Sequence, residues 1–343
     1  MLSRPRIRQL SLGELFDESF RIYRRDLLTL IALTALVIVP YSILSVVFLL
    51  PLQQSVAQLQ NNALLGAAPE EQLFNFLGPA FLSVGLSAFL TLLYSIVFVP
   101  LMEGALARAV MRRYLDQPVS IGDSTGTALR HAMPLIVAKL LPSLAIGLIS
   151  VLFFGCVFFG FFGALVGNPF GDTAFQSEPS GGTIALAFLL LFGGGLVFVV
   201  LLAFVLVRIL FTSQAVIAED KGPIEAIRRS FDLTKGYFWR TFGIFLLVAL
   251  LTYIIQAVPS GILGAIYGAL TLRGGGVPDF VQQQIFTSVV SAITLVLVTP
   301  FQLIAYTLMY YDLRIRKEGF DLEQQARALA PDANTVYTQP FNL

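Results

Sequence analysis

Long apolar runs alternate along this chain with short segments that hold nearly all of its charge. No Asp, Glu, Lys or Arg occurs in 27–69, 72–102, 140–171, 180–207, 241–272 or 280–311. Each run exceeds the roughly 20 residues that cross a hydrocarbon core as a helix. The pattern predicts an all-α polytopic membrane bundle, a single domain over 1–319 followed by a tail at 320–343. Its six transmembrane helices are expected at about 27–50, 78–102, 134–166, 182–210, 240–262 and 284–311. Pro40, Pro100, Pro142 and Pro300 should kink or end spans.

The charged segments carry a second pattern. From Pro223 to Lys235, Ile224, Ile227 and Phe231 fall at helical spacing, with Glu225, Arg228, Arg229 and Asp232 on the opposite face. Pro223 suits the first helical position and Gly236 the C-cap. This predicts a short amphipathic helix in the interface, its apolar face toward acyl chains or other helices. Gly236 permits the turn into the span, and Tyr237, Phe238 and Trp239 sit at headgroup depth. The same elbow opens the chain, where Ser11 and Glu14 form a capping-box pattern. There Leu12, Leu15, Phe16, Ser19 and Tyr23 make one face. A weaker third elbow begins at Ser120 and is expected over about 120–131. The interfacial anchors are taken as Phe16, Phe20, Ile227, Phe231 and Trp239. Each elbow precedes two spans, so the chain reads as three parallel elbow–span–span repeats about an axis along the membrane normal. Any six-span protein with basic loops on one side would show a similar period.

Charge distribution orients the spans. Segments 1–26, 103–139, 208–240 and 312–343 hold 21 of the 22 Lys and Arg residues; the other side holds only Arg273. The positive-inside rule places both termini in the cytoplasm. The first apolar run begins at Leu27 and is long, which suits a retained helix rather than a cleaved leader. The outer segments are short and polar and carry no glycosylation sequon, which suits a bacterial plasma membrane. Composition agrees: 56% of residues are hydrophobic, 13% are charged and the mean hydropathy is +0.80. Cys156 is the single cysteine and His131 the single histidine, which excludes a zinc cluster.

Three stretches carry a resemblance: "LSLGELFDESFRIYRRD", "IEAIRRSFDLTKGYFWRTFGI" and "TPFQLIAYTLMYYDLRIRKEGFDLE". They resemble the membrane-domain family of glycerophosphoryl diester phosphodiesterases, whose membrane part can be joined to a soluble hydrolytic barrel. The resemblance implies a helical membrane domain and nothing catalytic. The barrel is not found in these residues, and its chemistry needs a pair of histidines with metal-binding carboxylates.

Ionisable residues inside or beside spans are candidate functional groups. Glu103, Lys139, Arg208 and Asp312 make up the candidate intramembrane polar cluster, for an ion or a lipid headgroup. The alternative is that they lie near enough to the edge to snorkel or to pair structurally. Ten uncharged residues separate Arg208 from Glu219, so Arg208 is expected to need a partner, with Glu103 favoured over Asp312. Gly163 with Gly167, and Gly264 with Gly268, have the spacing of close helix contacts. The triplets at 193–195 and 274–276 do not fit phosphate loops.

The favoured role is a non-enzymatic membrane scaffold or accessory subunit without cofactor, organising lipid or partner proteins. Its partners would be the bilayer, anionic lipid at the basic face and a membrane protein; nothing supports nucleic acid. A transporter with a polar site at the cytoplasmic mouth is the alternative, with a membrane enzyme behind both. Cysteines placed at Gln60, Ser177 and Gly275 should react with an impermeant thiol reagent on intact cells, and those at Gln117, Lys221 and Gln324 should not. Labelling of any site in the second group breaks the arrangement.

Overall fold

The computed structural model describes residues 8–64, 69–166, 182, 185, 188–274 and 280–320. Six helices are long and apolar enough to cross a membrane, at Leu27–Val56, Phe76–Tyr114, Ala132–Phe158, Leu191–Glu219, Phe238–Leu270 and Gln282–Glu318. The chain is a multi-pass, all-α membrane protein.

The element order is elbow, span, span, three times over. The first unit is α1 (Leu12–Arg25), α2 (Leu27–Leu64), then α3 (Pro69–Leu93), a wide turn at Tyr94–Phe98 and α4 (Val99–Tyr114). The second is α5 (Ile121–Arg130), α6 (Ala132–Val166), a wide turn at Leu189–Gly194, α7 (Gly195–Arg208) and α8 (Thr212–Glu219). The third is α9 (Pro223–Thr234), α10 (Phe238–Gly274) and α11 (Phe280–Glu318). Neighbouring spans pack in chain order around a ring, which α11 closes against α2.

Local chemistry forms the elbows as their sequences lead one to expect. At α1 the Ser11 N–H donates to Glu14 Oε2 at 2.8 Å and the Glu14 N–H to Ser11 Oγ at 3.3 Å. Bonding to the Ser11 backbone holds the Glu14 carboxyl below its usual range, so this cap strengthens above that range and is lost as pH falls through the lowered value. Gly222 and Pro223 start α9, and Gly236 takes φ +86° at the turn into α10. Each second span ends at a left-handed residue: Asp116 (φ 55°), Asp220 (φ 53°) and Gly319 (φ 64°).

Burial repeats with the units. Ser19, Ser124 and Ser230 are each fully buried at the middle of an elbow. Past each elbow, Leu30, Leu135 and Thr241 are buried at matching positions, and so are Leu33, Ala138 and Ile244. The offsets of about 105 residues support the repeat reading at the level of three-dimensional position.

Three side-chain contacts, two of them ion pairs and one between an imidazole and a carboxylate, clasp the units at the basic end. In each, a residue at or beside the elbow–span junction meets the end of that unit's second span. Asp26 takes a two-pronged contact from Arg113. His131 Nε2 lies 2.8 Å from Asp220 Oδ1, and Arg240 Nη2 lies 3.0 Å from Asp312 Oδ2. A second set joins each elbow to the preceding unit. Asp123 of α5 meets Arg108 and Arg112 of α4, Arg229 of α9 meets Glu219 of α8, and the Leu10 N–H donates to Asp312 of α11 at 2.8 Å. That last link returns the chain's start to its end and closes the cycle.

The core gathers at this basic end, around α4 and the second half of α11. Tyr114, Phe211, Tyr310 and Tyr311 pack there at ring-centroid distances of 5.4–6.1 Å. Away from it the spans bury little: none of the most apolar window of the third span is enclosed, against 44% of the sixth. Their exposed faces are apolar, as lipid-facing surfaces must be.

Several expectations are adjusted. Spans two and six continue as helix beyond their apolar runs, to Tyr114 and Glu318, and span four resumes as α8 after a break at Ile209–Phe211. The outer segment expected between spans one and two is largely helix, as α2 runs to Leu64 and α3 starts at Pro69. Pro40, Pro142 and Pro300 lie within continuous helices, and Pro100 follows the wide turn at Tyr94–Phe98. Pro300 cannot donate to the Val296 carbonyl; Thr34 Oγ lies 3.1 Å from that oxygen, and the Tyr23 hydroxyl donates to the Leu297 carbonyl at 2.9 Å. A Cβ on Gly264 would meet nothing within 4 Å, so no helix closes on it; the close approach is at Gly104, where a Cβ would stand 2.6 Å from Leu135 Cδ1. Gly167, the triplet beyond Gly274, the outer loops and the tail after Phe320 lie outside the described residues.

Breaking one clasp should be repaired by reversing it. Asp26→Arg or Arg113→Asp alone should cost about 3 kcal/mol, the low end for an unpaired buried charge. The double reversal should recover at least half of the summed loss in unfolding titrated with SDS.

Candidate functional site

The four charges predicted as one cluster occupy three separate places. Only Glu103 and Lys139 meet. Glu103 Oε2 lies 2.7 Å from Lys139 Nζ and accepts from Ser213 Oγ at 2.6 Å. The groups come from α4, α6 and α8, which pack together beside α11. Glu103 stands ten residues before Arg113, about 15 Å along a helix, and Lys139 eight past His131, about 12 Å. The pair is therefore well inside the bundle, a turn or more beyond the clasps. Gln214, next to Ser213, is 2% exposed, and its side-chain oxygen meets no donor among the described residues. A buried acceptor without a donor is costly to leave unmatched.

Arg208 does not pair with Glu103 or Asp312. It ends α7, where span four breaks between Arg208 and Thr212. The Ser230 hydroxyl bridges that break, accepting from the Phe211 N–H at 3.1 Å and donating to the Arg208 carbonyl at 2.7 Å. The break turns the Arg208 side chain toward the C-terminus of α9. There Nη1 lies 3.4 Å from the Phe231 carbonyl and from Thr234 Oγ. The guanidinium carbon lies 5.2 Å and 5.6 Å from the Phe204 and Phe238 ring centroids. A cation there complements the negative end of the α9 dipole and the ring faces, which is why a carboxylate is not needed.

Asp312 has no side-chain exposure and is surrounded by donors. Arg240 reaches it at 3.0 Å, Arg316 at 2.9 Å and the Leu10 N–H at 2.8 Å. Both arginines also donate to the Leu10 carbonyl, at 2.6 and 2.9 Å. Its acceptor capacity is taken up by holding the N-terminal segment, so it is a fastening. A neighbouring network joins Glu219 and Glu318 through Arg229 and Arg314, with the Tyr310 hydroxyl donating to Glu219 at 2.5 Å. Burial opposes the Arg229 charge, yet bonds from Glu318 and Glu219 outweigh it and raise its pKa. Among the described residues, no three of His, Cys, Asp or Glu are grouped to hold a metal ion.

The anchors divide by elbow. Phe16 and Phe20 of α1 pack on Phe301 of α11 at 6.3 and 4.6 Å, so they hold the elbow to protein. In α9 the face against the bundle is Ala226, Ser230, Leu233 and Thr234, which leaves the predicted apolar face to the acyl-chain side of its two expected settings. Ile224 and Phe231 are exposed, Ile227 is half-buried and Trp239 is 79% exposed. Small residues allow the close approach that the Ser230 bridge needs, which leaves the bulky apolar side chains facing outward.

The clasp residues Asp26, Arg113, Asp220, Glu219, Arg229 and Arg240 were missed by sequence reasoning. Their signal was present: polar or charged residues at elbow–span junctions and at second-span ends recur once per unit, with the acid at the junction in the first unit and at the second-span end in the other two. The coupling now expected is between Glu103 and Lys139. In thermal unfolding in detergent, Glu103→Gln with Lys139→Met should lose about 1–2 kcal/mol less than the sum of the singles. Glu103→Gln with Arg208→Gln should be additive.

Residues 63–313 match the model of a family described as a domain of unknown function, DUF7847. The match begins after the first elbow and the first span, and it takes in Glu103, Lys139, Arg208 and Asp312. No curated protein and no solved structure matches the chain. Because the family model covers most of its length, the chain belongs to the DUF7847 family.

Proposed function

We propose that the chain is a non-catalytic scaffold of the cell membrane, with both termini in the cytoplasm, that organises lipids or partner proteins. The observation that carries this reading is how the charge is engaged. At the basic end, acids and bases fasten elbows to spans, with Asp312 wholly enclosed by its donors. The described clefts between spans are lined mostly by apolar side chains, with Ser42 and Ser288 among them between α2 and α11, and Ser87, Thr91 and Ser95 between α2 and α3. One of about 490 Å³ lies between α2 and α11, lined by Val39, Ile43, Val46, Ile285, Val289 and Ile293. Another of about 500 Å³ lies between α2 and α3. Clefts of this kind accept acyl chains. The concentration of Lys and Arg at one end supports the orientation and an attraction for anionic lipid. The likeness to phosphodiesterase membrane domains agrees with a role separable from catalysis.

A second reading, a transporter, is favoured by one observation: the Glu103–Lys139 pair, set back along its helices from the clasps, is joined by Ser213 of span four, whose helix is interrupted at Ile209–Phe211. Interrupted helices at polar sites are a feature of transporters.

Protein extracted with its surrounding bilayer should carry lipids enriched over the bulk membrane, as read by mass spectrometry. Purified protein should release no glycerol phosphate from glycerophosphodiesters with any divalent metal. Lipid identical to the bulk would sink the scaffold reading, and turnover that disappears in His131→Ala would replace it with an enzyme.

A further inference from the structure

Arg208 is unlike two other cations of the spans. Lys139 and Arg240 meet carboxylates at 2.7 and 3.0 Å, whereas Arg208 meets none among the described residues. Its two contacts are long, at 3.4 Å, and both use Nη1. The Phe204 and Phe238 rings fix the guanidinium without using its N–H groups. Nε and Nη2 therefore have no partner among the described residues. This is the edge of the fork that binds a phosphate in two places.

The surroundings face outward. Phe204 is 43% exposed, and Trp239, stacked edge-on against Phe238, is 79% exposed. Aromatic rings beside an arginine at the start of a span belong at headgroup depth. On α9, Arg228 and Lys235 are exposed and neither has a carboxylate within 4 Å among the described residues. Glu225 and Asp232 are exposed on the same helix, and Arg229 is held by Glu219 and Glu318. The elbow's charges are three basic and two acidic, and Arg208 adds a fourth cation.

We propose that Arg208 binds the phosphate of an anionic glycerophospholipid. The acyl chains lie along α7 and α10 against Phe204, Phe238 and Trp239. Arg228 and Lys235 attract the net negative charge of the headgroup. The site deepens the scaffold reading and rests on it: it names one class of lipid and one place where that lipid is held.

The test uses the purified full-length chain in detergent, titrated with phosphatidylglycerol or phosphatidylcholine. Bound lipid is counted by native mass spectrometry and the thermal midpoint is followed. Wild type should retain phosphatidylglycerol in preference and melt higher with it. Arg208→Gln should weaken retention about thirtyfold, as expected for losing a charge-assisted bond. Arg208→Lys, which keeps the charge and the fold but not the fork, should weaken it about tenfold, and Arg228→Gln at most about fivefold. Inorganic phosphate at equal concentration should leave the midpoint unchanged. Equal retention by wild type, Arg208→Gln and Arg208→Lys overturns the site alone. A matching shift from inorganic phosphate assigns it to a free anion and also overturns it. If wild type prefers no lipid at all, the scaffold reading falls with it.

Discussion

A charge at the lipid–water boundary of a helical bundle is stable when it is hydrated, snorkelled or paired, and this fold takes the third route at one position in each unit. Asp26 with Arg113, His131 with Asp220 and Arg240 with Asp312 each tie the entry of a unit's first span to the exit of its second. A span pair closed at that point is a hairpin whose ends cannot drift. The second set of links, from each elbow to the preceding unit, turns three hairpins into a ring. Its closing link depends on Asp312 holding the Leu10 backbone, so one carboxylate joins the chain's start, its fifth span and its sixth.

This constraint explains where the packing lies. In a bilayer, helices gain nothing by exchanging lipid contacts for equally apolar protein contacts, so association rests on close packing and polar links. The polar links are at the basic end, and the core follows them there. Towards the other end little of the spans is buried, and the clefts between neighbours are lined by apolar side chains with a few hydroxyl residues. A protein built this way is firm at one face of the membrane and in contact with lipid over most of its remaining length.

What could be read from the sequence follows the same division. The spans were legible because twenty or more uncharged residues have few other uses. The elbows were legible because Ser11, Glu14, Pro223 and Gly236 act locally on the backbone. The buried face of α9 was not, since helical periodicity separates apolar from charged but does not tell protein from lipid when both are apolar. Ile224 and Phe231 look like a core face, yet the bundle takes Ala226 and Ser230 because close approach favours small side chains. The partner of Arg208 was not legible either, because it depends on a helix break that is held by a serine from another element.

The units also show where their likeness stops. Counting eight residues from each junction, Thr34, Lys139 and Phe245 occupy the same place on the first span of successive units. Each reaches across to a second span. Thr34 lies against the Val296 carbonyl of α11, and Phe245 packs on Tyr306 of the same helix at 6.2 Å. Lys139 instead carries a charge to Glu103 on α4. A hydroxyl and an aromatic ring hold helices together at this depth without any ion pair, so the fold does not require one there. Replacing such a pair with well-packed apolar groups is often neutral for stability. Thr34 and Lys139 each reach the second span of the preceding unit around the ring, and the Glu103–Lys139 pair, which Ser213 joins, is the charged form of that contact.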